Sequence, residues 1–348
     1  MTIEDIKKAL REYGGPPTAL MEVCGTHTAA IAKNGIQSLL SDRIAMVSGP
    51  GCPVCVTVSA YIDRLCELSG RDGYEVVTFG DMLRVPGSSG SLADSKAAGG
   101  RVRMVYSPFD CMKLAREDKN TTWVFAAVGF ETTAPIYALM AGQAAEQGIK
   151  NLRFLTSVKT MPAAIRWICE KNKVIGGFIA PGHVSVITGS EIYKPIAEKY
   201  NLPFAVAGFG GESVLAAIYA LTRLKGQGKV VNLYPSVVSE TGNEKAAALL
   251  LKYFEPGRAF WRGMGGIDGS GLYLKEEFAY LDAGSRDIAR DVETPGCRCG
   301  DVLIGNLSPG DCPLFGGVCT PQSPRGACMV SQEGACFARF SYERTGSE

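Results

Sequence analysis

The chain has 348 residues, with 36 lysines and arginines against 35 aspartates and glutamates, so its formal net charge is +1. This balance excludes the strongly basic surface typical of nucleic-acid and membrane-surface binding. No apolar run approaches about 18 residues, the length that a membrane-spanning helix needs, and a 46% hydrophobic content is enough for sizeable cores.

The first predicted element is a short helix within residues 1–17, which we expect to pack on the body of the protein. These residues lack the basic-then-apolar pattern of a secretory signal peptide. We therefore expect a cytoplasmic protein. In that reducing compartment, cysteines more often bind metal or carry out redox chemistry than form structural disulfides.

A buried strand is predicted from Thr18, and it leads into a loop that contains Cys24 and His27. Apolar residues at helical spacing follow from Ile31, and we expect Thr28 to cap this helix. Loops at the carboxyl ends of strands carry the chemistry of many α/β proteins. The two side chains are therefore candidates for catalysis or metal binding, although a structural thiol and a structural histidine remain alternatives.

The same pattern repeats in the next segment. A strand from Arg43 to Ser48 precedes a loop with Cys52 and Cys55, and a helix is predicted from Ser59. The C-x-x-C pair is typical of a redox dithiol, a pair of metal ligands or a structural pair. It excludes a c-type haem site, because valine rather than histidine follows it. A helix N-terminus nearby lowers the pKa of a thiol, which favours a functional dithiol.

A further series of alternating strands and helices begins near residue 119, and its turns contain Glu131, His183 and Glu212. Such alternation predicts parallel sheets joined by right-handed crossovers. We therefore predict an α/β protein with one parallel-sheet domain at 18–118 and a second at 119–225. A phosphate-binding loop of the G-x-x-x-x-G-K-[ST] type is absent from the sequence.

The remaining predicted domain, residues 226–348, contains half of the chain's twelve cysteines. A glycine-rich stretch at 263–271 is expected to be a loop. Glycine and proline replace apolar periodicity between the cysteines, so disulfides, zinc or an iron–sulfur cluster must help to order the segment. Wide spacing favours the cluster over zinc. The six cysteines are Cys297, Cys299, Cys312, Cys319, Cys328 and Cys336.

Taken together, these motifs resemble the HypD family of hydrogenase maturation proteins. The chain reads MEVCGTH at 21–27, SGPGCPVC at 48–55, GFETT at 129–133, PGHV at 181–184 and GFGGE at 208–212. The C-terminal cysteine motifs match as well, so the resemblance covers residues 18–340. Each motif alone is weak, but their combination is highly specific.

The resemblance implies a role in the assembly of a metal centre. HypD proteins act with a small partner, HypC, as the scaffold on which the Fe(CN)2CO fragment of [NiFe] hydrogenase is assembled. Cyanide arrives from HypE, and the hydrogenase large subunit is served through HypC. The family resemblance thus predicts a scaffold with redox and ligand-transfer steps rather than a conventional turnover enzyme.

The resemblance also implies residue roles. The family's C-x14-C-x6-C-x16-C spacing assigns a [4Fe-4S] cluster to Cys297, Cys312, Cys319 and Cys336. The redox pair beside it is assigned to Cys299 and Cys328, and a second dithiol to Cys52 and Cys55. Cys24 resembles the thiolate of the iron site, with His27 nearby. The candidate supporting residues are Thr26, Glu131, His183 and Glu212.

The implied chemistry is consistent with these residue types. Low-spin iron that carries cyanide and CO favours soft thiolate ligands, and thiol–disulfide exchange between two dithiols can pass electrons inward from a cluster. Two other interpretations remain open from the residues. One is a stand-alone, cluster-linked thiol–disulfide oxidoreductase, and the other is a zinc-stabilised binding module.

Overall fold

A computed structural model describes residues 2–288, 291–292 and 294–342. Residue 1 of the predicted N-terminal segment lies outside the described residues. So do residues 289–290, 293 and 343–348 of the predicted C-terminal domain. Within the described residues, no helix is both long and apolar enough to cross a membrane.

Eleven strands form two sheets in the described part of the chain. They are β1 Thr18–Glu22, β2 Ile44–Ser48, β3 Tyr74–Thr78, β4 Val102–Met104, β5 Thr122–Gly129, β6 Leu152–Lys159, β7 Ile175–Ala180, β8 Phe204–Val206, β9 Val230–Asn232, β10 Phe254–Trp261 and β11 Gly265–Leu274. The first sheet has the order β2-β1-β7-β8-β9, and the second has the order β10-β11-β6-β5-β3-β4.

The helices alternate with these strands over most of the chain. They are α1 Ile3–Arg11, α2 Gly25–Lys33, α3 Ser59–Gly70, α4 Leu92–Ala97, α5 Pro108–Glu117, α6 Ala134–Glu146, α7 Met161–Lys171, α8 Gly182–Thr188, α9 Lys194–Tyr200, α10 Gly211–Arg223, α11 Glu244–Tyr253, α12 Cys299–Leu303, α13 Ala327–Val330 and α14 Ala335–Tyr342. The predicted N-terminal helix is confirmed as α1, which Thr2 and Asp5 cap reciprocally.

The first sheet is parallel throughout, and β1 lies between β2 and β7. Met21 in β1 pairs with Val47 on one side and Phe178 on the other. Both faces of such a strand are covered, which explains why β1 is buried along nearly its whole length. The parallel α/β class predicted from the alternation of strands and helices is confirmed.

The second sheet departs from the prediction at its edge. The pairs β6–β5, β5–β3 and β3–β4 are parallel, but β10 and β11 form an antiparallel hairpin that joins β6. The prediction of a loop at 263–271 was wrong, because most of this stretch belongs to β11. Glycine is required there for close approach: a Cβ at Gly271 would lie 2.7 Å from the Cβ of Ala259.

Each sheet takes strands from two separate parts of the chain. The chain passes between the sheets after β2, after β6 and after β9. Strand pairing does not by itself define domains, so the predicted division at 118 and 225 stays a prediction.

One core cluster of buried side chains joins both sheets to the C-terminal segment. Its members include Met21 and Phe178 in the first sheet, Val124 and Leu155 in the second, and Cys328 in α13. Apolar packing therefore helps to order the cysteine-rich segment, which had been expected to need covalent or metal bonds.

Candidate functional site

Cys24 and His183 lie at the topological switch point of the first sheet, where the order in which the chain adds strands reverses. Cys24 follows β1, from which the chain passes to β2, and His183 follows β7, from which it passes the other way to β8. Open parallel sheets bind ligands outside the carboxyl ends of such neighbouring strands. We name this position the Cys24 site.

The start of α2 holds Cys24 in place. Helix α2 begins at Gly25 with Cys24 as its N-cap residue, so Thr28 lies inside the helix and the predicted Thr28 cap was wrong. The Cys24 amide donates to the Glu22 carboxylate over 2.9 Å. A Cβ at Gly51 would lie 2.2 Å from the Cys24 nitrogen, so the Cys52–Cys55 loop packs directly on this backbone.

The Cys24 thiol is protonated in these surroundings. Only 8% of the residue is exposed. Burial raises the pKa of Cys24 to about 12, the Glu22 and Glu333 carboxyl groups add to the rise, and the Thr26 and His27 amides oppose it. Without a cation to compensate its charge, this sulfur is neither a nucleophile nor a ligand at neutral pH.

Two carboxyl groups that the sequence interpretation did not single out face this site. Glu22 is buried and accepts hydrogen bonds from the Thr28 hydroxyl and the Cys24 amide; burial raises its pKa to about 7. Glu333 accepts from the Thr26 hydroxyl over 3.3 Å, and a Cβ at Gly25 would lie 2.3 Å from its Cβ. Each lies close in sequence to a predicted site cysteine: Glu22 is two residues before Cys24, and Glu333 is three residues before Cys336.

Glu22 also connects the Cys24 site with the surface. Together with Thr28 and Ser48 it lines a groove of about 670 Å³ between β2 and α14. Strand β2 is an edge strand of the first sheet. The Gln37 side chain, which also lines the groove, covers part of this edge: it donates to the Ile44 carbonyl over 3.1 Å and accepts from the Met46 amide over 3.0 Å.

The two histidines of the chain come together around Phe209. The ring centroid of His27 lies 4.8 Å from that of Phe209, and the centroid of His183 lies 4.1 Å from it. Nε2 of His27 donates to the Gly208 carbonyl over 3.1 Å, which assigns the proton to that nitrogen. Burial lowers the pKa of His27 to about 4, so the imidazole is neutral. Within the described residues Nδ1 has no partner, which leaves a buried lone pair.

The other two supporting candidates, Glu131 and Glu212, lie in different surroundings. Glu131 follows β5 and is buried; one oxygen accepts from the Met161 amide over 2.8 Å, and the other has no partner among the described residues. Burial raises the pKa of the Tyr193 phenol, and the charges of Glu131 and Cys24 add to the rise. Glu212 is instead exposed on the first turn of α10.

The C-terminal cysteines meet around one small cavity, which we name the cysteine cavity. Its volume is only about 10 Å³. A Cβ at Gly326 would lie 2.7 Å from the Cys297 sulfur, so glycine keeps this space open. All six predicted residues line it: Cys297, Cys299, Cys312, Cys319, Cys328 and Cys336.

This donor set fits an iron–sulfur cluster. In the described ranges no three histidine, cysteine or acidic side chains converge as ligands of a single ion. Each thiolate of a [4Fe-4S] cluster binds a different iron, so its four ligands surround a volume instead of one point. The predicted ligands surround the cavity in this way, and the rest of the wall consists of Arg298, Gly326 and apolar side chains such as Leu314, Phe315 and Met329.

A continuous path of sulfur atoms connects this cavity with the loop on Cys24. The sulfur atoms of Cys299 and Cys328 are 2.9 Å apart and both residues are free thiols. Cys328 also contacts the thiol of Cys55, whose amide donates to the Cys52 sulfur over 3.2 Å. Burial raises the pKa of Cys55 well above its ordinary value. The predicted lowering by a helix N-terminus is absent there, since α3 begins only at Ser59.

Known proteins resemble this chain over almost its whole length. The sequence model of the HypD family, described as "Hydrogenase formation hypA family", matches residues 1–343. The chain belongs to the HypD family. The predicted resemblance is thereby confirmed over almost the whole chain.

HypD relatives from several bacteria cover most of the chain. "Hydrogenase maturation factor HypD" of Rhizobium leguminosarum bv. viciae is 41% identical over 359 residues, which is 98% of this chain and 93% of that protein. Proteins of the same name from Rhodobacter capsulatus and Escherichia coli K12 are 42% and 41% identical over 339 residues each. These alignments cover 94% and 95% of this chain and 89% and 91% of the relatives.

Proposed function

We propose that this HypD-family protein is a hydrogenase maturation factor. Together with HypC it serves as the scaffold on which the Fe(CN)2CO fragment is assembled, with cyanide delivered by HypE and the fragment passed to the hydrogenase large subunit through HypC. One observation carries the proposal: the loop that packs on the backbone of buried Cys24 holds Cys52 and Cys55, and from Cys55 the contacts between thiols lead through Cys328 to a cavity lined by six cysteines.

Cys24 is proposed to bind the iron of the fragment, which is the substrate of the scaffold. The iron cation replaces the thiol proton, and this exchange supplies the positive charge that the thiolate lacks in the free protein. The carboxyl groups of Glu22 and Glu333 favour a cation at the same place. Thiolate is a suitable donor for soft iron that carries cyanide and CO.

The cysteine cavity is proposed to hold a [4Fe-4S] cluster through Cys297, Cys312, Cys319 and Cys336. When bound, the cluster would supply electrons, one at a time, to the neighbouring Cys299–Cys328 pair in its disulfide form and so return the pair to two thiols. The other two cysteines of the cavity, Cys299 and Cys328, are then left free as a dithiol next to Cys55.

The two dithiols can exchange electrons through one mixed disulfide. The Cys328 thiolate attacks the Cys55 sulfur of an oxidised Cys52–Cys55 pair, and Cys52 leaves as a thiolate. Cys299 then attacks Cys328 and releases Cys55. The net result is a reduced Cys52–Cys55 pair and an oxidised Cys299–Cys328 pair, a transfer of two electrons toward the loop on Cys24.

Replacement of Cys24 by alanine tests the iron site. The variant, co-produced with HypC and purified without oxygen, should lose the infrared bands of bound cyanide and CO while its iron and sulfide content at the cluster stays. Cys66→Ala is the control, because Cys66 is half-buried in α3, away from both sites. A Cys24→Ala protein that keeps both bands would show that another residue binds the fragment.

The short contact between Cys299 and Cys328 also favours a second function, that of a stand-alone thiol–disulfide oxidoreductase linked to a cluster. This alternative predicts steady reduction of a protein disulfide without any hydrogenase partner. It also predicts that Cys24→Ala leaves this turnover unchanged, because Cys24 lies outside the sulfur path.

A further inference from the structure

A second connection joins the cysteine cavity to the Cys24 site, and it consists of packed backbone instead of sulfur atoms. Helix α13 contains Cys328 and helix α14 contains Cys336, and residues 331–334 connect the two helices. We name this connection the 331–334 turn. A Cβ at Gly334 would lie 2.2 Å from the carbonyl oxygen of Cys328. The turn is therefore packed directly on the backbone of the cavity.

The other side of the 331–334 turn is packed on the first turn of α2. A Cβ at Gly25 would lie 2.3 Å from the Cβ of Glu333, and the Thr26 hydroxyl donates to the Glu333 carboxylate over 3.3 Å. Helix α2 has no acidic residue in its first turn, and its N-cap residue Cys24 makes no side-chain capping hydrogen bond. Side chains from outside the helix, Glu333 among them, therefore stabilise its start.

Hydrogen bonds within the turn connect its two sides. The Gly334 amide donates to the Ser331 carbonyl over 2.9 Å, and the Glu333 amide donates to the Ser331 hydroxyl over 3.2 Å. Ser331 itself is 6% exposed, so the turn is fixed from below as well. A shift of Cys328 or Cys336 at either end of the turn is therefore passed on to Glu333.

We propose that Glu333 is a positioning residue that makes the Cys24 site depend on occupation of the cysteine cavity, a role that rests on the cluster of the proposed function. A cluster bound through Cys336 fixes the start of α14, three residues after Glu333. The 331–334 turn passes this restraint on to the first turn of α2. Buried thiols react through local opening, so the restraint lowers the population of states in which Cys24 is accessible.

The test compares the alkylation rate of Cys24 in cluster-loaded protein and in protein from which a chelator has removed the cluster. Iodoacetamide labelling of the reduced, anaerobic full-length chain and peptide mass spectrometry measure this rate. In the wild type, removal of the cluster should raise the rate at least about fivefold, the lower end of a typical coupling between two sites. Glu333→Ala should react equally fast in both forms. Glu333→Gln keeps an acceptor for the Thr26 hydroxyl and should keep most of the wild-type ratio.

Two controls separate positioning from a general loss of stability. Gln332→Ala is the matched variant, because Gln332 lies in the same turn but is exposed, and it should keep the wild-type ratio. The thiol of Cys66 in α3 is the internal control. Its alkylation rate should be the same in the loaded wild type and in loaded Glu333→Ala, whereas general loosening would raise the rates of Cys66 and Cys24 together.

Equal Cys24 rates in the loaded and cluster-free wild type would overturn this inference, and so would a wild-type ratio in Glu333→Ala or a parallel rise at Cys66. If Glu333→Ala does not retain the cluster, Thr26→Ala replaces it. This change removes the hydroxyl donor of the contact and should lower the ratio; an unchanged ratio would contradict us.

Iron and sulfide analysis of the same samples separates this inference from the proposed function. A wild type without a cluster overturns the proposed function as well. A loaded wild type in which the Cys24 rate does not depend on the cluster overturns the inference alone.

Discussion

At the scale of single residues, Glu131 shows how burial couples this fold to pH. The side chain is 5% exposed, and one of its carboxylate oxygens has no partner among the described residues. Burial raises its pKa from 4.5 to about 7, with the amides of Glu131 and Met161 opposing the rise. Between these two values the folded state binds more protons than the unfolded state. The contribution of Glu131 to the free energy of unfolding is therefore fully present below pH 4.5. It is lost as the pH rises through about 7.

We predict that Glu131→Gln removes this pH dependence. Glutamine keeps an oxygen for the Met161 amide but never ionises, so the variant should match the wild type near pH 4 and be more stable at pH 8 by up to about 3 kcal/mol. Urea unfolding of both proteins across this pH range measures the difference. A difference that does not vary with pH would contradict the assigned role of the carboxyl group.

The residues of the Cys24 site were only partly predictable. Cys24 and His27 stand out because they adjoin a predicted strand end and because the chain has only two histidines. Glu22 and Glu333 are not conspicuous, because acidic residues are common on protein surfaces and the pattern does not reveal burial. Glu333 comes from the C-terminal segment, so only tertiary packing brings it to Thr26.

At the scale of elements, the loop before α2 and the loop before α3 are in backbone contact. The Gly25 amide donates to the Gly51 carbonyl over 3.1 Å, and a Cβ at Gly51 would lie 2.2 Å from the Cys24 nitrogen. The added Cβ would collide with backbone atoms rather than with the end of a flexible side chain, so the collision could be relieved only by a backbone shift. The position of the Cys24 thiol therefore depends on a glycine in the neighbouring loop.

We predict that Gly51→Ala lowers the free energy of unfolding by about 1–3 kcal/mol through overpacking and weakens iron-fragment binding at Cys24. Gly70→Ala is the matched control. Gly70 ends α3, a Cβ added there would meet nothing within 4 Å, and alanine should stabilise the helix by up to about 1 kcal/mol. Urea unfolding compares the two variants, and equal stabilities would contradict the packing described.

Element types were predicted better than element ends. Helix α2 begins earlier than expected, because backbone geometry rather than a polar side chain starts it at Cys24. The hairpin β10–β11 was missed because glycine suggests a loop, yet here it permits close approach to Ala259 and Arg258. Neither feature has a local signal, since both depend on the partner that the segment packs against.

At the scale of the whole molecule, the sulfur path is assembled from distant parts of the chain. Cys55 comes from the first sheet's second loop, whereas Cys299 and Cys328 come from α12 and α13. The cysteine spacing suggested which residues act together, but not that Cys328 would contact Cys55. The order of the strands could not be predicted either. The alternation of strands and helices predicts parallel sheets, but it does not show which strands share a sheet.

We predict that Cys299→Ala or Cys328→Ala retains the cluster but stops maturation, because either change breaks the path between the two dithiols. Iron and sulfide content of the purified variants and hydrogenase activity in the producing cells are the two measurements. Cys66→Ala should preserve both. Full hydrogenase activity in either variant of the pair would rule out the relay.

The most direct test of the proposed function is an iron-57 Mössbauer spectrum of the protein co-produced with HypC and purified without oxygen. We expect a cubane signal from the cysteine cavity together with a separate low-spin iron at Cys24. A preparation without protein-bound iron would contradict both assignments at once.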